Sequence, residues 1–388
     1  MKTKRIISVL IISLIILTLF GSLVSCSNGK LGKQFVTYSY FNTTSTLVIY
    51  EKPKKAENIW TKVKELLSAI ESKLDMDIEG SDVWNFNQSS GGELQIDKIT
   101  YDVLSLSKVM YELTDGTFNP ALGIYIDLWG FSPRFSAENY KIEKPYDRED
   151  YKNSLPEDKF ISAFSSLVDF SQVTLEEREG KYYVIKPNSK VTIDGNDYTM
   201  MINLGGIGKG YATDVVTDFL NKEGYTYGYF SVGRSSLSLL NNPMKLKDSP
   251  IDNAWRVALV NPFENEKTYA DVFCNQTSVS TSGDYENFYE YNQKRYSHII
   301  NPETFMPFDN NIASVTVMGK NASYCDALTT ALCVMGKDKA ISFSNEYLGE
   351  YSLAVVVIEN GERVVFTKGM DNIFIKDHSI LLKSWGEE

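Results

Sequence analysis

The chain has 388 residues, of which 43% are hydrophobic and 23% charged, so it can form one large or two medium domains with an apolar core. Its formal net charge of −11 argues against a nucleic-acid-binding surface, because such surfaces are basic. The only histidines are His298 and His378, and no C-x-x-C pair occurs. A site of several histidines or cysteines is therefore not expected, and oxygen atoms should bind any metal.

The N-terminal segment has the pattern of an exported lipoprotein. Two lysines and an arginine open the chain, an apolar run covers residues 6–20, and Leu-Val-Ser-Cys ends at Cys26. We predict a signal peptide over residues 1–25, lipidation of Cys26, and a polar tether over residues 26–34. The alternative is a transmembrane anchor, for which the run is short, since a span needs about 20 apolar residues. The expected location is the cell membrane, lipid-anchored, on the extracytoplasmic side.

Hydrophobic periodicity predicts a mixed set of elements along the rest of the chain. Strands are predicted over residues 33–50, 182–185, 228–232, 255–260, 278–281, 297–300, 314–318, 352–366 and 373–382. Helices are predicted over residues 58–76, 97–113, 158–167 and 326–335, and residues 205–221 are predicted to form a glycine-rich turn followed by a helix. Because strands and helices do not alternate regularly, the predicted fold class is α+β and not a doubly wound sheet.

Four glycines fall within six residues, at Gly205, Gly206, Gly208 and Gly210, next to Lys209. Glycines let backbone N–H groups approach a phosphate, and the start of a helix adds partial positive charge. The spacing matches neither the Walker A loop nor G-x-G-x-x-G. A packing turn between strand and helix is the alternative interpretation.

Asp326 and Thr330 are four residues apart and therefore share one face of the predicted helix. A carboxylate and a hydroxyl on one face can bind a hard cation such as Mg²⁺. The alternative is an aspartate that caps the helix and a threonine that faces solvent.

His298 lies in an apolar segment before a turn, where it is either a general base or a hydrogen-bonded structural residue. Trp129 and Phe131 follow a turn-rich segment that begins at Thr114. They either line a flat pocket or fill the core.

Five segments in this order resemble the ApbE family, the FAD:protein FMN transferases. The family pattern T-D-G-x-F-D-P…G…L-W-G-F is similar to residues 114–131, and D-L-G-G-I-A-K-G-Y-A-x-D to residues 203–214. S-G-x-Y-E-R partly matches residues 282–287, H-I-I-D-P-x-T-G resembles residues 298–305, and D-A-L-S-T-A-L-x-V-M-G is nearly complete at residues 326–336. The resemblance extends over about residues 35–336, and weaker similarities occur at Ser81 and Asn87.

The resemblance implies an ApbE-like fold over residues 35–388, binding of FAD and Mg²⁺, and transfer of FMN from FAD to a Ser or Thr hydroxyl with release of AMP. The acceptor would be an exported or membrane flavoprotein. The implied metal ligands are Asp326, Thr330 and the carbonyl of Gly208, and the implied catalytic residues are His298 and Lys209. The implied cofactor-binding residues are Ser81, Asn87, Gly116, Phe118, Trp129, Gly205, Gly206, Lys209, Gly233, Ser235 and His298.

The chain departs from the family pattern at several positions. Asn119, Asn203 and Asn301 replace acids, Phe305 replaces a glycine, and Asn287 replaces an arginine. The chain has Gly233-Arg234-Ser235 where the family has G-G-[DN], and it has Phe41-Asn42-Thr43 where the family has M-G-T. These changes leave two alternatives open, namely a FAD pyrophosphatase that uses water as acceptor and a non-catalytic FAD-binding lipoprotein.

Overall fold

The computed structural model describes residues 32–132, 155–264 and 266–385. The predicted signal peptide, Cys26 and most of the predicted tether lie outside the described residues. None of the helices in the described part is long and apolar enough to cross a membrane.

The described residues form eight α-helices, several of which coincide with the predicted ones. They are α1 (Pro53–Leu74), α2 (Asp82–Gln88), α3 (Lys98–Leu113), α4 (Gly123–Leu128), α5 (Asp158–Ala163), α6 (Gly205–Lys222), α7 (Ala322–Met335) and α8 (Lys337–Tyr347). Short 3-10 turns follow α5 at Phe164–Leu167 and Phe170–Gln172.

The strands of the described residues belong to five sheets. They are β1 (Gly32–Tyr40), β2 (Thr43–Tyr50), β3 (Gly92–Ile96), β4 (Thr174–Arg178), β5 (Lys181–Lys186), β6 (Lys190–Ile193), β7 (Asn196–Thr199), β8 (Gly228–Val232), β9 (Ser236–Leu239), β10 (Trp255–Val260), β11 (Thr268–Cys274), β12 (Ser278–Gly283), β13 (Phe288–Tyr291), β14 (Lys294–Ser297), β15 (Ile312–Gly319), β16 (Ser352–Glu359), β17 (Glu362–Lys368), β18 (Ile373–Ile375) and β19 (Ile380–Ser384).

A nine-stranded sheet in the order β1-β2-β8-β9-β12-β15-β16-β17-β19 is the centre of the fold. All of its neighbouring pairs are antiparallel except β17 and β19. The smaller sheets are β10-β11-β18, β3-β5-β4 and the hairpins β13-β14 and β6-β7.

Both faces of the large sheet are covered in its central part. Val355 and Val357 of β16 pack in the core that includes the helices, whereas Ala354 and Val356 pack in a second core with β11. Successive side chains of a strand point to opposite faces, so this alternation places helices on one side and the small sheet β10-β11-β18 on the other. The predicted α+β class is confirmed.

The structure changes several predicted boundaries, three of them next to the candidate site or at the start of the described chain. The single strand predicted over residues 33–50 is the hairpin β1–β2, because Phe41 and Asn42 adopt left-handed φ values of 55° and 51° and reverse the chain. The glycine-rich segment predicted as a turn is the first part of helix α6, which begins at Gly205. The strand predicted over residues 297–300 is wrong, because β14 ends at Ser297 and leaves His298 just beyond it.

Candidate active site

A cavity of about 920 Å³ lies between one face of the large sheet and strand β10 of the small sheet. Lys209, Arg234, Glu286 and His298 all line it. A second cavity of about 170 Å³ is lined by Asn203, Gly205 and Gly208, and it shares Asn42 and Lys209 with the large one. Lys209 therefore stands where the two cavities meet. A cavity of this size with a few convergent polar groups is the expected form of a small-molecule site.

The glycine-rich start of α6 packs directly against α7. A Cβ atom on Gly210 would lie 2.4 Å from the carbonyl oxygen of Ala322 and 2.6 Å from the Cα of Ser323, so only glycine permits this approach. The backbone N–H of Gly210 donates a hydrogen bond of 2.9 Å to Oδ2 of Asp326. The close helix packing thus fixes the position of the Asp326 carboxylate.

Thr330 lies one turn after Asp326 on the same helix face, as the spacing predicts. Its hydroxyl donates to the backbone carbonyl of Asp326 at 3.3 Å, which leaves oxygen lone pairs available. A Cβ atom on Gly206 would lie 3.4 Å from this hydroxyl oxygen and 3.3 Å from the ring of Phe118. The structure therefore brings Asp326, Thr330 and the first turn of α6 together.

The alternative that Asp326 caps a helix is wrong. Helix α7 begins four residues earlier, at Ala322, and Asn321 is its N-cap. The first N–H groups of α7 are satisfied by the carboxylate of Asp214, which accepts from Ala322 at 2.7 Å and from Ser323 at 2.9 Å. Asp326 therefore has no capping function that would explain its burial.

The surroundings of Asp326 suit an oxygen-liganded cation. Its carboxylate is only 2% exposed, and burial raises its pKa, against the opposing effects of the Lys209 charge and the Gly210 hydrogen bond. Lys209 and Asp326, both described residues, form no ion pair within 4 Å, and Nζ of Lys209 donates to the carbonyl of Gly205 at 2.9 Å. One carboxylate and one hydroxyl form a sparse set of hard ligands, which fits Mg²⁺ held partly by substrate phosphates or water. No cluster of three or more His, Cys, Asp or Glu residues that could hold a metal occurs among the described residues.

His298 is held in one orientation at the edge of the large cavity. Its Nδ1 lies 3.1 Å from the carbonyl oxygen of Asn287, which also accepts the backbone N–H of His298 at 3.0 Å. Because a carbonyl only accepts, Nδ1 carries the proton and Nε2 keeps its lone pair. Burial, with a smaller contribution from the Lys209 charge, lowers the pKa of His298 to about 4. The imidazole is therefore neutral at physiological pH and able to accept a proton.

Glu286 is a site residue that the sequence reasoning did not single out. Its side chain is exposed to the large cavity, and partial desolvation by the neighbouring protein raises its pKa to about 7. The charges of Lys209 and Arg234 act in the opposite direction, and that of Asp326 adds to the rise. The segment at residues 282–287 was recognised as a motif, but the direction of each side chain depends on the turn after β12.

Comparisons with known proteins identify the family of the chain. The model of the ApbE family matches residues 41–354, which is most of the chain. The chain belongs to the ApbE family. It is 25% identical over 305 residues to the FAD:protein FMN transferase of Vibrio cholerae serotype O1, covering 77% of this chain and 80% of that protein. It is 28% identical over 307 residues to the enzyme of the same name from Escherichia coli K12, covering 79% and 78%.

Solved ApbE structures have the same fold. The flavin transferase ApbE from Vibrio cholerae superposes with a TM-score of 0.69 at 21% sequence identity, covering 87% of this chain and 98% of that one. The ApbE protein from Thermotoga maritima gives a TM-score of 0.67 at 23% identity, covering 84% and 94%. At these identities the likeness concerns the fold.

Three of the predicted cofactor-binding side chains make structural contacts. Trp129 is fully buried, donates from Nε1 to the carbonyl of Phe305 at 3.0 Å and stacks on Tyr296, so it fills the core and does not face the cavity. Ser81 caps α2, accepting the backbone N–H of Trp84 at 2.9 Å. Asn87 bonds in both directions to the backbone of Ile202, at 2.8 and 3.0 Å. These side chains are engaged with protein atoms, and their assignment to cofactor binding stays a prediction.

The other predicted binding residues divide into two groups. Gly116, with φ of 74°, lies in a turn next to Tyr111, and Gly206 packs against buried Phe118, so these three residues do not line the two cavities. The remaining ones line the cavities, and they are Gly205, Lys209, Gly233, Ser235 and His298.

Each asparagine that replaces a family acid accepts a hydrogen bond from the backbone N–H two residues later, as in an Asx turn. Oδ1 of Asn203 accepts the N–H of Gly205 at 2.8 Å, Oδ1 of Asn119 accepts that of Ala121 at 2.9 Å, and Oδ1 of Asn301 accepts that of Glu303 at 2.8 Å. An amide oxygen performs this function as a carboxylate would. The local turns are therefore retained without the negative charge.

Phe305, where the family has glycine, has a φ of 59°, a conformation that favours glycine. Its ring stacks on Tyr125 with centroids 4.9 Å apart and planes 7° apart. This packing offsets the backbone cost of a bulky residue at that position.

Proposed function

We propose that this protein transfers the FMN half of FAD to a serine or threonine hydroxyl of an acceptor flavoprotein, with release of AMP. The observation that carries the proposal is the meeting of Asp326 and Thr330 with the glycine-rich start of α6, beside a cavity lined by Lys209 and His298. The names of the related FAD:protein FMN transferases support it.

Asp326, Thr330 and the backbone carbonyl of Gly208 would hold Mg²⁺. The bound ion would neutralise negative charge on the diphosphate, which phosphoryl transfer requires more than covalent assistance. Support for this assignment comes from the burial of Asp326 and from the closeness of Thr330 to Gly206.

Lys209 adds a fixed positive charge at the junction of the two cavities. The hydrogen bond from its Nζ to Gly205 orients the side chain and uses only one of three ammonium hydrogens. The other two can contact phosphate oxygens. Lys209 therefore binds and orients the diphosphate in our proposal.

His298 accepts the proton of the acceptor hydroxyl. The hydroxyl oxygen forms a new bond to the phosphorus of the FMN half, the bond from that phosphorus to the bridging oxygen breaks, and AMP leaves with that oxygen. Nε2 of His298 takes the proton, since Nδ1 is engaged by Asn287. Negative charge on bound phosphates would raise the pKa of His298 and make it a stronger base than in the empty cleft.

We further propose that the acceptor is an exported or membrane flavoprotein, and that a lipid on Cys26 anchors the enzyme to the membrane on the extracytoplasmic side. The support is the sequence pattern of the N-terminal segment. Mass spectrometry of the protein purified from membranes tests it. A mature chain that begins with a diacylglycerol-modified Cys26 supports the proposal, and an unmodified Cys26 contradicts it.

The function is tested by incubating the full chain with FAD and Mg²⁺, with and without an exported flavoprotein as acceptor. In-gel fluorescence detects flavin that stays bound to denatured acceptor, and chromatography detects AMP and free FMN. Transfer predicts acceptor-dependent fluorescence and AMP. Release of FMN and AMP without any acceptor indicates a pyrophosphatase, and FAD that stays intact indicates a binding protein, and either result contradicts the proposal.

A further inference from the structure

Arg234 is presented to the large cavity by a turn that neighbouring strands hold in place. The turn joins β8 to β9, and Gly233 sets its geometry with a φ of 66°. The N–H of Gly233 donates to the carbonyl of Thr44 at 2.7 Å, and the N–H of Thr281 donates to the carbonyl of Ser235 at 2.8 Å. The backbone on each side of Arg234 is therefore bonded to a different strand of the large sheet.

No acidic side chain pairs with Arg234 in the described part of the large cavity, so its guanidinium can bind an anionic ligand. Among the described residues that line it, the formally charged ones are Lys209, Arg234 and Glu286. The side chain of Arg234 is exposed to the cavity and forms no ion pair within 4 Å with a described residue. Two cations and one anion therefore line the cavity. The side chains that line the cavity thus have a formal net charge of about +1, in a chain whose net charge is −11.

We infer that Arg234 binds the diphosphate of the dinucleotide together with Lys209, and that it sets the affinity for the phosphate-bearing part of the substrate. The inference rests on the proposed function for the identity of the nucleotide. A planar guanidinium can bind two phosphate oxygens at once, whereas Lys209 acts as a point charge.

Compared with the family pattern, this chain carries its arginine at a different position in the cavity. The family pattern has glycine where this chain has Arg234, and arginine where it has Asn287. Both positions line the same cavity. The two departures therefore move a guanidinium from the turn after β12 to the turn after β8 and keep one arginine in the site.

The test is calorimetric titration of the full chain with FAD, ADP and riboflavin in the presence of Mg²⁺. Arg234→Gln should weaken binding of FAD and ADP about tenfold or more, because a charge-assisted hydrogen bond is lost, and should leave riboflavin binding unchanged. Arg234→Lys should give an intermediate affinity, since it keeps charge but not the planar fork. Arg256→Gln is the matched control, because Arg256 is an exposed arginine on β10 that does not line the cavity.

The inference is overturned if Arg234→Gln binds ADP as tightly as the wild type, or if riboflavin binding weakens to the same extent. If the glutamine variant does not fold, the comparison of ADP affinity between wild type and Arg234→Lys decides the question in the same way. The ADP titration is independent of FMN transfer. A weakened ADP affinity in a protein that fails to transfer FMN would refute the proposed function and leave the assignment of Arg234 standing.

Discussion

Replacing Asp326 by asparagine should abolish Mg²⁺ binding without destabilising the metal-free protein. Asparagine keeps the volume and an oxygen acceptor for the Gly210 N–H, and removes only the charge. Since burial raises the pKa of Asp326, the metal-free variant should be at least as stable as the wild type. In the wild type, Mg²⁺ at about 100 times its Kd should add about 2.7 kcal/mol of stability. At about 2 °C per kcal/mol, that is a rise of about 5 °C in Tm.

The assay is thermal unfolding with and without Mg²⁺, together with the FMN transfer rate. Asp326→Asn should lose the Mg²⁺-dependent rise in Tm, and transfer should slow by about 100-fold or more, equivalent to about 3 kcal/mol of transition-state stabilisation. Asp271→Asn is the control, because Asp271 is a similarly buried aspartate that is paired with Lys376 and lies in the small sheet. A variant at Asp326 that keeps the full Mg²⁺ response would refute the assignment.

Three further predictions concern the same site. Thr330→Val preserves the shape but removes the hydroxyl, so the Mg²⁺ concentration for half-maximal transfer should rise about tenfold, and an unchanged value would exclude Thr330 as a ligand. His298→Gln should slow transfer by about 100-fold or more while calorimetry shows unchanged FAD affinity, and weaker FAD binding with normal turnover would contradict its role as base. NMR titration should give His298 a pKa of about 4, assigned by loss of the signal in His298→Gln, and a value near 6.5 would contradict its burial. Because the pKa of His298 is lower in the folded than in the unfolded protein, the free energy of unfolding should decrease as pH falls from about 6.5 to about 4. Urea denaturation measures this decrease, and the part that is due to His298 should be absent in His298→Gln.

The site could be predicted from the sequence through the order of five family-like segments, since the spacing of Asp326 and Thr330 alone left helix capping as an alternative. Asp326 and Thr330 lie at helical spacing, and the structure places both on one face of α7. Composition alone draws attention to the glycines of residues 205–210, but it does not indicate that Gly210 is needed for close helix packing. Gly210 is needed for contact with Ala322, which is more than 100 residues away, and no local pattern reveals such a contact.

The direction of individual side chains could not be predicted for similar reasons. For Trp129 the sequence leaves both a pocket wall and the commoner core position open, and its hydrogen-bond partner Phe305 is 176 residues away. Glu286 and Arg234 enter the cavity from turns on different strands, so their meeting depends on the order of the large sheet. Local periodicity predicts elements, whereas these pairings are set by tertiary packing.

The central claim is most directly tested by intact-mass and peptide mass spectrometry of an exported acceptor flavoprotein after incubation with the enzyme, FAD and Mg²⁺, with AMP measured in the same sample. The account predicts one FMN joined through its phosphate to a serine or threonine for each AMP released, and neither product in the absence of Mg²⁺ or with Asp326→Asn. An unmodified acceptor, or AMP released without covalent FMN, would contradict it.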